Sequence, residues 1–197
     1  MKNPVNMAIE LPSSESLGPE TLTLKTPDLS VAFETERRFL VKNDDWKRRA
    51  SVGTAYRQGY IFTGENRTLR VRVAGNRGFL TLKGLHEGIT RHEYDYEIPL
   101  AEAEEIMSVF CERTPVEKVR YTVEEAGTRW EVDVFSGANH GLVIAEVEIS
   151  EEGESIELPG WAGEEVTGVA RYLNVNLYLL PVGEWPAGDR PLPPERR

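Results

Sequence analysis

The chain has little that can be oxidised and no long apolar run. Cys111 stands alone among 197 residues, which excludes an internal disulfide and any zinc cage built of cysteines. A reducing cytoplasm suits such a chain. Cys111 sits in an apolar stretch, where packing rather than reactivity is expected. No segment nears the roughly 20 apolar residues of a membrane-spanning helix, so no membrane partner is expected. Residues 1–30 lack a basic start followed by an apolar run, so the expectation is no secretory leader and a cytoplasmic location. Positive charge is also scarce. Lys and Arg number 23 against 33 Asp and Glu, a formal net charge of -10, which argues against nucleic acid or an anionic membrane as partner.

What is present fits one soluble globular domain, with 40% hydrophobic and 28% charged residues. Residues 1–30, rich in Pro, Ser, Thr and Glu without a clear period, read as a disordered extension. Ordered patterning covers residues 31–180. Residues 181–197 form a Pro-rich tail, expected to be extended or disordered.

Within 31–180 the dominant period is two. Strand-like stretches run from Val31 to about Val41, then over Ala55–Phe62, Thr68–Val73, Phe79–Lys83, Arg91–Ile98, Val116–Val123, Arg129–Phe135 and Leu142–Ile149. Helical spacing is expected after the first, fifth and eighth, over Asn43–Arg49, Leu100–Glu112 and Glu164–Leu180. The fold class is therefore α+β but mainly β: a closed eight-stranded antiparallel β-barrel, or tunnel, with flanking helices.

In strand after strand one face is apolar and the other charged. Alternation alone does not say which face is inside. Carboxylates dominate the first, seventh and eighth strands, with Glu34 and Glu36, Glu131 and Asp133, Glu146 and Glu148. Cations dominate the second, third, fourth and sixth, with Arg57, Arg70, Arg72, Lys83, Lys118 and Arg120. Any one such pair reads best as a solvated face or a salt bridge, whereas the whole segregated set favours a charged interior. Closing the barrel would gather Glu34, Glu36, Glu146 and Glu148 opposite a wall of cations. Carboxylates so crowded repel, and a divalent cation relieves the repulsion; hard oxygen donors select Mg²⁺ or Mn²⁺. Arginine forks facing that metal are what a polyphosphate needs.

With these residues assembled, the chain resembles the triphosphate tunnel metalloenzymes of the CYTH superfamily. Glu34-Thr35-Glu36-Arg37-Arg38-Phe39-Leu40-Val41 matches the family's opening E-x-E-x-K strand. Arg57-Gln58-Gly59-Tyr60, Leu69-Arg70-Val71-Arg72, Thr81-Leu82-Lys83, Arg91-His92-Glu93-Tyr94 and Glu117-Lys118-Val119-Arg120-Tyr121 follow in order. Glu131-Val132-Asp133-Val134-Phe135, Glu146-Val147-Glu148 and Gly163-Glu164-Glu165-Val166-Thr167 complete the set.

The resemblance implies a tunnel whose charged faces line the lumen, and a homodimer. It implies hydrolysis of inorganic triphosphate or of organic triphosphates, and in some members cyclisation of ATP. By position, Glu34, Glu36, Glu146 and Glu148 would hold metal, with Asp133 and Glu165 as further candidates. Arg57, Arg70, Arg72, Lys83 and Arg120 would bind phosphate, joined by Arg38, Arg91 and Arg171. Lys118 would sit near the attacking water, making Lys118, Glu36 and Glu148 the catalytic candidates. Glu93 is a further lumen carboxylate.

Two departures from the family pattern stand out. Arg38 occupies the opening motif's usual lysine position, which removes any proton-transfer role but keeps phosphate binding. Ala170 stands where related hydrolases often carry a lysine, before Arg171-Tyr172. The expected reaction is metal-dependent hydrolysis of tripolyphosphate to phosphate and pyrophosphate. Thiamine triphosphate or nucleoside triphosphate hydrolysis, adenylyl cyclisation and a polyphosphate or nucleotide sensor without turnover are the alternatives.

Overall fold

The structure is a computed structural model that describes residues 33–64, 67–87, 90–150 and 153–196. The extension over residues 1–30 lies outside the described residues, as do the side chains of Glu34 and Arg91.

Strand β1 (Phe33–Val41) leads into a 3-10 segment, Asp44–Arg49, where Asn43 accepts a hydrogen bond from the Asp45 amide and caps the turn. Strands β2 (Thr54–Gly64), β3 (Arg67–Ala74), β4 (Arg77–Glu87) and β5 (Thr90–Ile98) follow as successive hairpins. Pro99 then starts helix α1 (Leu100–Phe110). Strands β6 (Val116–Glu125), β7 (Thr128–Phe135) and β8 (Val143–Glu148) complete the charged series. The β6–β7 turn puts Ala126 and Gly127 at φ of 52° and 75°, a left-handed pair matched to the twist of a tight hairpin.

With a short last strand, β9 (Ala162–Glu165), all strand pairings are antiparallel, in the order β5-β4-β3-β2-β6-β7-β8-β1-β9. Phe33–Thr35 of β1 also pair with Thr90–His92 of β5, which joins the two ends of the β5-to-β1 series.

Residue alternation splits each strand between two environments. On one face Phe39, Val123, Trp130, Val132, Ala145 and Val147 form an apolar cluster beneath Trp46 and Trp161. On the same outer side α1 lays Ala103 and Met107 over Val71 and Val73. Two glycines permit that approach. A Cβ at Gly78 would stand 2.6 Å from the Ala103 Cβ, and one at Gly59 would stand 2.5 Å from the Cys111 Sγ. The opposite face carries the charge, except at one end. There Tyr60, Val116, Phe135 and Ile144 pack against Leu177 and Tyr178.

The C-terminal third departs from the expectation of one helix over Glu164–Leu180. Ala162–Glu165 instead form strand β9 on the outer edge of β1, Ala170–Tyr172 form a 3-10 turn, and only Asn174–Leu179 form a helix, α2. Close backbone packing decides this: a Cβ at Gly163 would lie 2.8 Å from the Leu40 carbonyl oxygen. The Pro-rich tail is likewise ordered, in 3-10 turns at Val182–Glu184 and Ala187–Asp189. Val182 and Trp185 are buried in the apolar end, and Glu195 exchanges backbone hydrogen bonds with Lys42 and Asp44. Proline set the expectation, and a buried tryptophan overrides it. No helix among the described residues is long and apolar enough to cross a membrane.

Candidate active site

The charged inner face begins on β6. Lys118 and Arg120 are two apart and so share a face, and β7 sets Asp133 beside them. Asp133 is fully buried and is held by both cations: by Lys118, and by Arg120 Nη2 at 2.6 Å. Arg120 also binds Glu131, and its Nη2 lies 2.5 Å from Glu146. Arg38 on β1 binds Glu36 and approaches Glu146 at 3.2 Å. One continuous network thus runs across β6, β7, β8 and β1.

A second cluster lies on β3, β4 and β5. Arg70 donates to the Thr81 hydroxyl at 3.0 Å and lies 3.5 Å from Glu93, which also holds Lys83 at 2.6 Å. Arg72 binds Asp95 at 2.5 Å. Its guanidinium lies 4.9 Å from the Phe79 ring centre and 5.8 Å from that of Tyr56. Lys118 and Arg120 also face the Tyr56 ring, at 5.9 and 5.5 Å. Tyr56, Gln58, Arg70, Arg72, Lys83, Glu93, Lys118, Arg120, Glu146 and Asn174 enclose a space of about 40 Å³ between the clusters. Arg70, Lys83 and Asn174 also border a cleft of about 460 Å³, shared with Arg38, Tyr60, Arg67 and the residues of α2.

Burial sets the electrostatics. Desolvation pushes the Lys118 ammonium below its ordinary pKa and the Arg120 charge adds to this, with Asp133 and Glu146 opposing. For Arg120 burial acts in the same sense, but Asp133, Glu146 and Glu131 together outweigh it and hold the guanidinium well above its usual value. Arg72 is lowered by burial and by Arg70. Buried charges persist only when paired on several sides, and here each cation has carboxylate or hydroxyl partners.

The expected residues divide accordingly. Arg38, Arg70, Arg72, Lys83, Lys118, Arg120, Glu36, Asp133 and Glu146 come together, and Glu148 stands opposite Glu36 as its cross-strand partner. Three of the expected residues lie apart from this cluster. Arg57 points away from Tyr56 and Gln58 and pairs with Glu104 of α1. Glu165 lies on β9 and is bound by Arg37, with bonds of 2.9 and 2.6 Å, not by the inner cluster. Arg171 pairs with Asp189 at 3.9 Å and stacks on Trp185.

The cation-bearing strands β4, β3, β2 and β6 lie side by side, as do the carboxylate-bearing β7, β8 and β1. The signs meet where β6 borders β7 and where β4 borders β5, so Asp133 serves two cations and Glu93 serves Lys83 and Arg70. Among the described residues no group of three or more His, Cys, Asp or Glu is gathered to hold a metal ion. The donors that suit Mg²⁺ or Mn²⁺ are Glu36 and Glu148, because such ions are commonly held by one or two carboxylates, with water and phosphate oxygens completing the shell. Sequence reasoning passed over Tyr56, Gln58, Asp95 and Asn174 as site residues. The alternation of Tyr56 with Gln58 was the available signal; for Asn174 there was none.

The fold is mainly antiparallel β with cations and carboxylates on its inner face, and a family model of the CYTH domain matches residues 32–176. The chain belongs to the CYTH family. It is 49% identical over 148 residues to an inorganic triphosphatase of Acetivibrio thermocellus, covering 75% of this chain and 94% of that one. It is also similar to an inorganic triphosphatase of Nitrosomonas europaea, 37% identical over 151 residues, with 74% and 97% covered. Among solved structures it resembles the crystal structure of an inorganic triphosphatase, with 35% identity, a TM-score of 0.56, and 74% and 97% of the two chains covered.

Proposed function

We propose that the protein hydrolyses inorganic triphosphate (tripolyphosphate) to phosphate and pyrophosphate, using Mg²⁺ or Mn²⁺, in the lumen of a closed eight-stranded tunnel. The observation that carries this reading is the convergence of Arg70, Arg72, Lys83, Lys118 and Arg120 on one small space. So many cations meet where a compact polyanion has to be neutralised along its length. Pairing of β1 with β5 supports closure of the tunnel, and the inorganic triphosphatases similar to this chain support the reaction.

Binding exchanges partners. Arg70, Arg72 and Lys83 turn from Glu93, Asp95 and Thr81 toward phosphate oxygens, while Arg120 keeps Asp133 and so stays in place. Arg38 neutralises the phosphate nearest Glu36 and Glu146. Glu36 and Glu148 would hold the metal, which would supply charge neutralisation for the phosphate oxygens. Lys118, fixed by Asp133, donates to the phosphoryl group under attack. Water oxygen bonds to a terminal phosphorus as the bridging P–O bond breaks; pyrophosphate leaves with that electron pair and the water's proton is released. Positioning and charge neutralisation carry the barrier reduction.

Phosphate release from tripolyphosphate, ATP and thiamine triphosphate, each with Mg²⁺, with Mn²⁺ and with chelator, tests the reading. Expected is metal-dependent release fastest from tripolyphosphate, abolished by Glu148→Gln. Release that is unchanged by chelator, or that is absent from tripolyphosphate, overturns it.

A further inference from the structure

Around the 40 Å³ space nearly every donor is already engaged: Arg70 by Thr81, Arg72 Nη2 by Asp95, Lys83 by Glu93, Lys118 by Asp133, and Arg120 by Asp133, Glu131 and Glu146. Two buried nitrogens differ. Among the described residues the Gln58 Nε2 and the Arg72 Nε have no hydrogen-bond partner, although Gln58 is only 1% exposed. The two residues are cross-strand partners, Gln58 on β2 opposite Arg72 on β3. Both line the space. A buried amide left unsatisfied is costly, and replacing it by an apolar group of similar shape is ordinarily neutral or favourable. Among the described residues neither donor is met by an acceptor, and keeping them there suits an acceptor that arrives with substrate.

We infer that Gln58 is a substrate-positioning and specificity-determining residue, which together with the Arg72 Nε edge grips the oxygens of one phosphate group of the bound triphosphate. The inference rests on the triphosphatase reading and adds a residue to it. The placement has a chemical logic. Every cation added to the lumen draws a carboxylate partner that substrate then has to displace. A neutral amide donates to a phosphate oxygen without such a partner, and it is ready before substrate arrives. The rings of Tyr56 and Phe79 hold the Arg72 plane, so the two donors keep their mutual setting.

The test compares wild type with Gln58→Met, close in volume and unable to donate, and Gln58→Glu, close in shape and negatively charged. Initial rates of phosphate release from tripolyphosphate give KM and kcat, and thermal unfolding with and without tripolyphosphate in chelator gives fold integrity and binding. Expected for Gln58→Met is a KM raised about tenfold with kcat less affected, a melting temperature no lower than wild type, and a smaller tripolyphosphate-induced shift. Gln58→Glu should lose more, about a hundredfold in kcat/KM. A Gln58→Met variant with wild-type KM and wild-type ligand shift overturns the assignment, and so does a lowered melting temperature with unchanged KM, which makes Gln58 structural. A wild type that binds but does not cleave tripolyphosphate counts against the triphosphatase reading alone, and the ligand shift then still decides for or against Gln58.

Discussion

Arg37 and Arg38 are neighbours in the chain and sit in different surroundings. Arg37 points outward from β1, its side chain 22% exposed, and pairs with Glu165 on β9. Arg38 points inward, 7% exposed, between Glu36 and Glu146. The same guanidinium thus makes a wet ion pair on one face and part of a dehydrated network on the other. The contrast recurs as Arg57–Glu104 outside against Arg120–Asp133 and Lys118–Asp133 within. Outside, a pair adds little because water screens it. Inside, removing one partner strands a charge.

The largest effect expected from breaking the contrast is at Asp133. Asp133→Asn should cost about 3–5 kcal/mol in urea denaturation, since Lys118 and Arg120 lose their shared carboxylate, and tripolyphosphate turnover should fall with it. Adding Lys118→Met to Asp133→Leu should restore much of the stability and none of the activity. An Asp133→Asn protein as stable as wild type would show that the inner charges are solvated like the outer ones.

A smaller effect is expected outside. Glu104→Ala should cost less than about 1 kcal/mol and leave kcat/KM within roughly twofold. At the Arg37–Glu165 pair the effect depends on pH. The Arg37 hydrogen bond holds the Glu165 carboxyl below its ordinary 4.5. The unfolded chain then binds more protons than the folded one in that range, so the pair's contribution is complete above the ordinary carboxylate pKa. It is lost as pH falls through the depressed value. Glu165→Gln should lower the neutral side of the stability profile slightly and leave its acid end nearly unchanged, so that the acid slope flattens.

Smallest of all is Ala126, the one non-glycine at positive φ among the described residues. Ala126→Gly should stabilise by about 0.5–1 kcal/mol, read as a shift in the urea midpoint.

Much of this was legible in the chain. Period-two patterning located β1 to β8, and the pairing of Glu36 with Glu148 followed from placing β1 beside β8. The division of Arg37 from Arg38 was legible as well. What escaped was non-local. Charge segregation by strand was legible, but which strand lies beside which decides the partners, so Asp133 and Glu93 proved to be shared anchors for cations. Arg57 was expected among the phosphate-binding cations, whereas its alternation with Tyr56 and Gln58 sets it on the other face, where it pairs with Glu104. The four residues of β9 are too few to show a period. The Trp185 indole donates to the Leu180 carbonyl at 2.9 Å, which fastens a segment whose proline content suggested no fixed structure.

The adjacent arginines offer the most direct test that the inner face carries the chemistry. Arg38→Gln and Arg37→Gln, made separately, should be compared in kcat/KM for tripolyphosphate at saturating Mg²⁺ and at matched fractions folded. Arg38→Gln should lose at least about tenfold, in line with a charged hydrogen bond worth about 1.5–3 kcal/mol, while Arg37→Gln stays within roughly twofold of wild type. Equal losses, or a larger loss at Arg37, would contradict the assignment of substrate to the inner face.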